Sequence, residues 1–331
     1  MKRRDFITSG AGGLAGINAV SRSPKHRLFS SQASLSGREK SSVLIKVLGT
    51  AQDGGLPQLG CTCRNCRRAW RNPQQKRMIA SLAVIDTVNR KTFLIDVTPD
   101  IRSQWELLTP HLRGGGYASP QIPDGILLTH AHIGHYTGLM FYGFEAQAAN
   151  ELPVHCSTRM SRFLAINGPW SQLVEHKNIS LQTFRSDGIT ELTSEISFTP
   201  LQVPHRDEFS DTHGFLIEGR SKKLLYIPDI QNWESWQRSV SEETLQVDFA
   251  LLDGTFFSPD ELPGRDLSLI GHPFIQDSMR ILKDLSDKKK PRIYFTHLNH
   301  SNPAVSPRGD AAELIRLAGF DVASDGLEFT I

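Results

Sequence analysis

Three histidines fall within six residues in Thr129-His130-Ala131-His132-Ile133-Gly134-His135, directly after the apolar run Gly125–Leu128. They cannot all point into an apolar core, because a buried imidazole needs partners for its ring nitrogens. A loop at a strand end lets several converge, and neutral imidazole is a common ligand for zinc and iron. The same design recurs later. His205 closes Val203-Pro204-His205, Asp229 closes Tyr226-Ile227-Pro228-Asp229, and His297 closes Tyr294-Phe295-Thr296-His297. Each alone reads as an ordinary loop residue. Together they repeat an apolar run that delivers a metal-ligand residue at its end. A solvated histidine cluster is the alternative.

A second cluster is Cys61-Thr62-Cys63-Arg64-Asn65-Cys66. Three thiols this close suit a tetrahedral structural zinc, which needs one more ligand from elsewhere. Free thiols or a disulfide are the alternatives, although a disulfide would strand the third sulfur. Four cysteines in 331 residues cannot form a disulfide framework. Cys156, in Val154-His155-Cys156, reads as core. His155, His176 and His213 read as structural or surface residues.

These residues need strands to deliver them. Strand candidates are Val43–Leu48, Ser81–Ile85, Thr92–Ile95, Gly125–Leu128, Pro153–Cys156, Ile196–Val203, Leu224–Ile227, Phe249–Leu252 and Arg292–Phe295. Helices are expected over Ile101–Leu108, Thr137–Ala149, Ile275–Leu285 and Asp310–Ala318, the last with Gly319 as its stop. Asp325-Gly326 reads as a hairpin turn before the alternating Leu327, Phe329 and Ile331. This is an α/β chain with too many strands for a simple parallel sheet. Two sheets with helices outside would fit.

Composition is that of a globular protein, with 39% hydrophobic and 22% charged residues, which excludes collagen, coiled coil and wholesale disorder. Residues 1–40 carry eight Lys/Arg against two acids; set against a whole-chain charge of +2, this leaves the rest at −4. A mildly acidic body gives no electrostatic reason to bind nucleic acid or an anionic membrane. Lys2-Arg3-Arg4 before the uncharged stretch 6–20 resembles a twin-arginine export signal. The chain therefore divides into residues 1–41, an export signal and disordered tail, and one domain over 42–331. The expected location is periplasmic, with a cytoplasmic basic tail as the alternative. No stretch is long enough to span a bilayer.

The spacing HAHIGH, followed by a His, an Asp and a final His at strand ends, resembles the metallo-β-lactamase superfamily, whose usual motif is HxHxDH. The resemblance covers residues 42–331 and implies an αββα sandwich with two metals between two mixed sheets. Carried over, His130, His132 and His205 hold the first metal, His135 and His297 help hold the second, and Asp229 bridges. The family's Asp is Gly134 here, so the second site loses a carboxylate. It is expected to fill weakly, and Gly134→Asp is expected to strengthen it. His297 with His300 three residues on resembles a pairing in the cyclic phosphodiesterase branch of phosphonate breakdown, which makes His300 the fourth ligand beside Cys61, Cys63 and Cys66. Leu48-Gly49-Thr50-Ala51, Gly54-Gly55-Leu56-Pro57-Gln58, Thr98-Pro99-Asp100-Ile101-Arg102, Leu252-Asp253-Gly254-Thr255 and His297-Leu298-Asn299-His300-Ser301-Asn302-Pro303 are similar to the PqqB family of coenzyme PQQ synthesis. That family typically lacks the first two motif histidines and keeps the Asp.

The resemblance implies a metal-dependent hydrolase that attacks a phosphodiester, lactone or other ester. His272, in Gly271-His272-Pro273, resembles the branch's general acid, and Asp229 shares the catalytic site. Zinc is expected in both sites, with Fe2+ or Mn2+ as alternatives at the active one. Iron would suit an oxidation or hydroxylation, or the protein would be a carrier linked to pyrroloquinoline quinone synthesis. The expected partner is a small-molecule substrate, with no nucleic acid and no membrane span; a homodimer is admissible.

Overall fold

Alternation along the first strand sets the layering. In Val43–Gly49 (β1), Val43, Ile45 and Val47 face one apolar cluster while Leu48 belongs to another, as the two-residue period of a strand requires. The computed structural model describes residues 42–111, 121–283, 285 and 291–331. The expected export signal over residues 1–41 lies outside them.

From β1 the chain continues through β2 (Ser81–Asp86), β3 (Lys91–Ile95), β4 (Gly125–Leu127), β5 (Leu152–Cys156) and β6 (Ile179–Thr183). Then come β7 (Thr190–Glu191), β8 (Ser197–Val203), β9 (Thr212–Glu218), β10 (Lys223–Ile227), β11 (Phe249–Asp253), β12 (Arg292–Thr296), β13 (Asp321–Val322) and β14 (Glu328–Thr330). They build two seven-stranded sheets, β14-β1-β2-β3-β4-β5-β6 and β13-β12-β11-β10-β9-β8-β7. Each sheet is mixed. β3 to β6 and β10 to β13 pair in parallel, and the remaining neighbours are antiparallel.

Ile45, Val47, Phe93, Ile95 and Leu127 of one sheet pack against Phe198, Phe215, Tyr226 and Leu251 of the other. The outer face of the first sheet is covered by helices Ile101–Leu108 and Thr158–Ile166, that of the second by Val240–Leu245, Ile275–Leu282 and Asp310–Leu317. This is the expected αββα sandwich. Parallel strands deliver the residues that follow them at their carboxyl ends, where open α/β sheets place ligand sites. Asp96 follows β3, His130 follows β4, Asp253 ends β11 and His297 follows β12. No helix among the described residues is long and apolar enough to cross a membrane.

Three local expectations need correction. Thr137–Ala149 is not one helix: a short helix Ile133–Tyr136 runs into a 3-10 segment Thr137–Tyr142 and then bends. The Gly138 amide donates to Val97 O (2.9 Å), which ties this segment to the loop after β3 and diverts it from a regular helix. Asp325-Gly326 does not close a hairpin. Gly326 (φ +86°) turns the chain from β13 in the second sheet to β14 in the first. The central strand β9 was also not anticipated, and nor were β6, β7 and β13. In β9 the apolar alternation is interrupted by Gly214, where a Cβ would meet Tyr226 O at 2.8 Å.

Candidate metal centre

His130, His132, His205 and Asp229 bring one ligand atom each within 4.8 Å of one another. His130 Nε2 lies 2.9 Å from His132 Nδ1 and 3.3 Å from Asp229 Oδ2. His205 Nε2 lies 3.2 Å from both His132 Nδ1 and Asp229 Oδ1. Nitrogen and oxygen donors around a tetrahedral zinc are separated by about 3.3 Å, so these spacings are those of a ligand set.

The ring nitrogens of four of the centre's histidines that face away from it are held, whereas His205 Nδ1 is buried without a partner among the described residues. His130 Nδ1 lies 2.9 Å from Thr129 Oγ1, and His297 Nδ1 lies 2.9 Å from Thr255 Oγ1. His135 Nδ1 is 2.7 Å from Asp96 Oδ2, and His132 Nε2 is 3.3 Å from Glu208 Oε2. Such partners fix ring orientation and turn the other nitrogen to the ligand. Asp96 is itself fixed, because Oδ1 accepts from the Thr129 amide (2.8 Å). Asp253 plays the same part on the other sheet. Its Oδ1 accepts from Thr255 N and Oγ1, while Oδ2 accepts from Ile230 N and lies 2.9 Å from His272 Nδ1. With its lone pairs engaged, Asp253 orients its neighbours and is a poor ligand. Asp96 and His297 both adopt left-handed backbone (φ +63° and +60°), a conformation non-glycine residues hold only where the surroundings enforce it.

A second donor set adjoins the first. His135 Nε2 lies 3.3 Å from His297 Nε2 and 4.0 Å from Asp229 Oδ2, which is 3.8 Å from His297 Nε2. Asp53 enters here, with Oδ1 3.3 Å from His135 Nε2 and 4.0 Å from His297 Nε2. Asp53 Oδ1 and Asp229 Oδ1 are buried and receive no hydrogen bond. Buried carboxylate oxygens without donors are costly unless a cation meets them.

The electrostatics fit ligation. Burial lowers His130 well below the usual imidazole range and brings His297 down to about 4, leaving both neutral and ready to ligate. Burial would raise Asp229, but the surrounding histidines, His272 first, hold it well below the usual carboxylate range. Burial would likewise lower His135, yet Asp96 and Asp53 raise it; carboxylates that hold a proton there would hold a cation in its stead. His272 is pushed up to about 10: burial opposes the charge, and Asp253 and Asp229 overcome it.

The thiol cluster is closed by His300. Its Nδ1 lies 3.4 Å from Cys61 Sγ and 3.6 Å from the Sγ atoms of Cys63 and Cys66. A zinc with sulfur ligands at 2.3 Å and nitrogen at 2.0–2.1 Å sets that edge at about 3.6 Å. Cys63 caps helix Arg64–Arg71 by accepting from the Cys66 amide, and Asn65 Nδ2 donates to the carbonyls of His300, Ser301 and Asn302. Burial pushes the Cys66 thiol up to about 12, whereas amides and neighbouring thiols outweigh burial and lower Cys63.

The structure thus brings His130, His132, His135, His205, Asp229, His272 and His297 together at one centre, and Cys61, Cys63, Cys66 and His300 at another. Cys156 is buried and free. His155 packs on Phe198, His213 lies 2.9 Å from Ser186 Oγ, and His176 lies beside Gln172. The sequence reading missed Asp53, Asp96 and Asp253. The last two carried a signal, because Leu94-Ile95-Asp96 and Leu251-Leu252-Asp253 each end an apolar run in a carboxylate.

Residues 91–298, more than half of the chain, match the family described as Beta-lactamase superfamily domain. Coenzyme PQQ synthesis protein B of Methylococcus capsulatus is 27% identical over 314 residues, covering 87% of this chain and 100% of the relative. The crystal structure of Zn(2+)-bound PqqB from Methylobacterium extorquens superposes with a TM-score of 0.75 at 22% identity, covering 87% of this chain and 100% of that one. A diphosphatase from the PhnP family superposes at 0.63 with 24% identity, over 87% and 97% of the two chains. The matched span, the paired mixed sheets and these relatives make the chain a member of the metallo-β-lactamase superfamily, similar to the PqqB proteins.

Proposed function

We propose that this chain is a metal-dependent hydrolase acting on a phosphodiester or a related ester. The observation that carries the reading is Asp229, whose Oδ1 is buried without a hydrogen bond and whose carboxylate lies between the His130, His132 and His205 nitrogens on one side and those of His135 and His297 on the other. His130, His132, His205 and Asp229 would hold one divalent ion, and His135, His297 and Asp229 face a second. Divalent ions there would polarise water toward hydroxide near neutral pH and draw charge from a phosphoryl or acyl oxygen.

The chain's own groups supply the rest. His272 Nδ1 lies 2.9 Å from Asp253 Oδ2 and 3.2 Å from Asp229 Oδ1. A cation held by Asp229 would offset that carboxylate's share in raising His272 and leave Asp253 as its main support, and His272 is the group placed to protonate a leaving oxygen. Thr255 stands between the two imidazoles, 3.1 Å from His272 Nδ1 and 2.9 Å from His297 Nδ1, and keeps both in place. The likeness to a diphosphatase supports hydrolysis at phosphorus. The name of the Methylococcus relative links a similar chain to coenzyme PQQ synthesis.

The test is hydrolysis of bis(4-nitrophenyl) phosphate and 4-nitrophenyl acetate by protein loaded with zinc or manganese, with and without O2. Turnover should depend on metal, ignore O2 and disappear in His132→Ala. Oxygen uptake by Fe2+-loaded protein without hydrolysis would replace this reading by an oxidation. Stabilisation by a quinone-like ligand without any turnover would make the protein a carrier.

A further inference from the structure

Gly134 stands where the superfamily's motif has a ligating carboxylate, and the structure explains why no side chain is there. A Cβ built on Gly134 would overlap Asp53 Oδ1 and lie 2.8 Å from Asp53 Cγ and 2.9 Å from its Cα. Real Cβ atoms do not approach other heavy atoms so closely. The space beside residue 134 is filled by a carboxylate that arrives from 81 positions earlier in the chain.

Resting on the two-ion reading above, we propose that Asp53 is the missing ligand: it supplies the second metal site with the carboxylate that residue 134 cannot, so that donor and glycine have exchanged places across one contact. Asp53 Oδ1 is shut from solvent, receives no hydrogen bond and faces His135 Nε2 at 3.3 Å and His297 Nε2 at 4.0 Å. Asp53, His135 and His297 thus form a set of three donors within 4.8 Å of one another, and Asp229 Oδ2 adjoins it at 4.0 and 3.8 Å from the two imidazole nitrogens. Two imidazoles and a carboxylate, with a share of Asp229, suit a dication better than the two imidazoles alone.

The backbone holds Asp53 where this role needs it. The preceding Gln52 amide donates to Leu298 O (2.9 Å), next to His297, and the Leu298 amide donates back to Thr50 O (2.8 Å). The Gly55 amide donates to Gln52 O (2.8 Å), closing a turn around Asp53. Leu56 and Arg77 then exchange backbone hydrogen bonds, and five residues on from Leu56 the chain enters the thiol cluster. Asp53 therefore rides on a pinned turn rather than on an exposed loop tip. A pinned carboxylate is a better ligand, because little freedom remains to be lost on binding.

The experiment is zinc stoichiometry of the full chain by elemental analysis after dialysis against graded chelator, with circular dichroism to confirm folding. Wild type should retain the thiol-site ion and both centre ions. Asp53→Asn keeps size and fold, and should lose one equivalent at chelator levels roughly 100-fold lower or more, since even indirect partners of a ligand change affinity by 10–100-fold. Gly134→Asp alone should lose the same equivalent, because the new side chain collides with Asp53. The exchange variant Asp53→Gly/Gly134→Asp should recover it. An Asp53→Asn protein that keeps wild-type stoichiometry at every chelator level overturns the proposal. An exchange variant that folds but stays at the Asp53→Asn level overturns the exchange of places. A wild type that never holds two centre ions overturns it together with the two-ion reading, a result distinct from both of these.

Discussion

The thiol cluster and the imidazole–carboxylate centre lie only three residues apart at His297 and His300, yet they are assembled in opposite ways. The first draws three ligands from the six residues Cys61–Cys66 and a single one from far away. The second collects its donors from the ends of strands in both sheets, and its members are fixed by further carboxylates and hydroxyls. A site with local ligands can form early and then clamp a loop; a site with dispersed ligands exists only when both sheets are in place. The difference predicts that damage to the first is felt as stability and damage to the second as chemistry.

The largest effect should follow from breaking the clamp. Cys63→Ser removes a thiolate that also caps helix Arg64–Arg71, and metal loss belongs to the few mechanisms that cost about 4 kcal/mol or more. The melting temperature should fall markedly and one equivalent of zinc should disappear. A variant that keeps the wild-type zinc content and melting temperature would show that the thiols hold no ion. His132→Ala is the opposite case. His132 is partly exposed, so stability should hardly change, while turnover should fall by about 1,000-fold or more as several kcal/mol of transition-state stabilisation are lost. Residual hydrolysis above one-tenth of wild type would remove His132 from the site.

A smaller change should come from the orienting residues. Asp96→Asn leaves an acceptor for the Thr129 amide but weakens the hold on His135 Nδ1. Second-ion affinity should fall by about 10–100-fold, with the first ion and the thiol-site ion untouched. Competition between zinc and a chromogenic chelator reads this directly, and equal weakening of all three ions would assign Asp96 a merely structural role.

What could be read from residues alone follows the same division. The histidines were legible because an apolar run ending in a ligand residue is a local pattern, and it is repeated at His130, Asp229 and His297. The cysteines were legible for the same reason. Asp53 was not: Gln52-Asp53-Gly54-Gly55 reads as a polar turn, and its role depends on the absence of a side chain at Gly134. This absence suggested a weak second site when taken alone; the turn packed against it supplies the carboxylate, so Gly134→Asp should weaken that site instead of strengthening it. The number and placement of the strands fit two sheets with helices outside, and the motif resemblance implied the αββα sandwich itself. The fate of Asp325-Gly326 was not, because a turn's sequence sets its backbone shape but not which sheet the next strand joins.

The smallest predicted effect probes the floor beneath the segment that joins the two sites. Asp325 accepts from Thr50 Oγ1 (2.6 Å) and the Met78 amide (2.7 Å), while Arg77 donates to Thr50 Oγ1 (2.8 Å) and Ala323 O (2.7 Å). Burial pushes the Asp325 carboxyl up to about 6, with Asp100 adding to the rise and Thr50, Met78 and Arg77 opposing it. A carboxyl raised in the folded chain binds its proton more tightly there than in the unfolded one. Its contribution to stability is therefore fully present below about pH 4, the ordinary carboxylate range, and is lost as pH rises through about 6. Between pH 7 and pH 5 that contribution should grow by on the order of 1 kcal/mol. Histidine protonation at the metal centre acts on wild type and Asp325→Asn alike, so the difference between their melting temperatures isolates the carboxyl. The difference, wild type minus variant, should increase by about 2 °C on acidification for a chain of this size, with zinc stoichiometry unchanged in both. A difference that is flat with pH would mean that Arg77 keeps Asp325 ionised in the fold, and the segment leading to Asp53 would then rest on a buried ion pair.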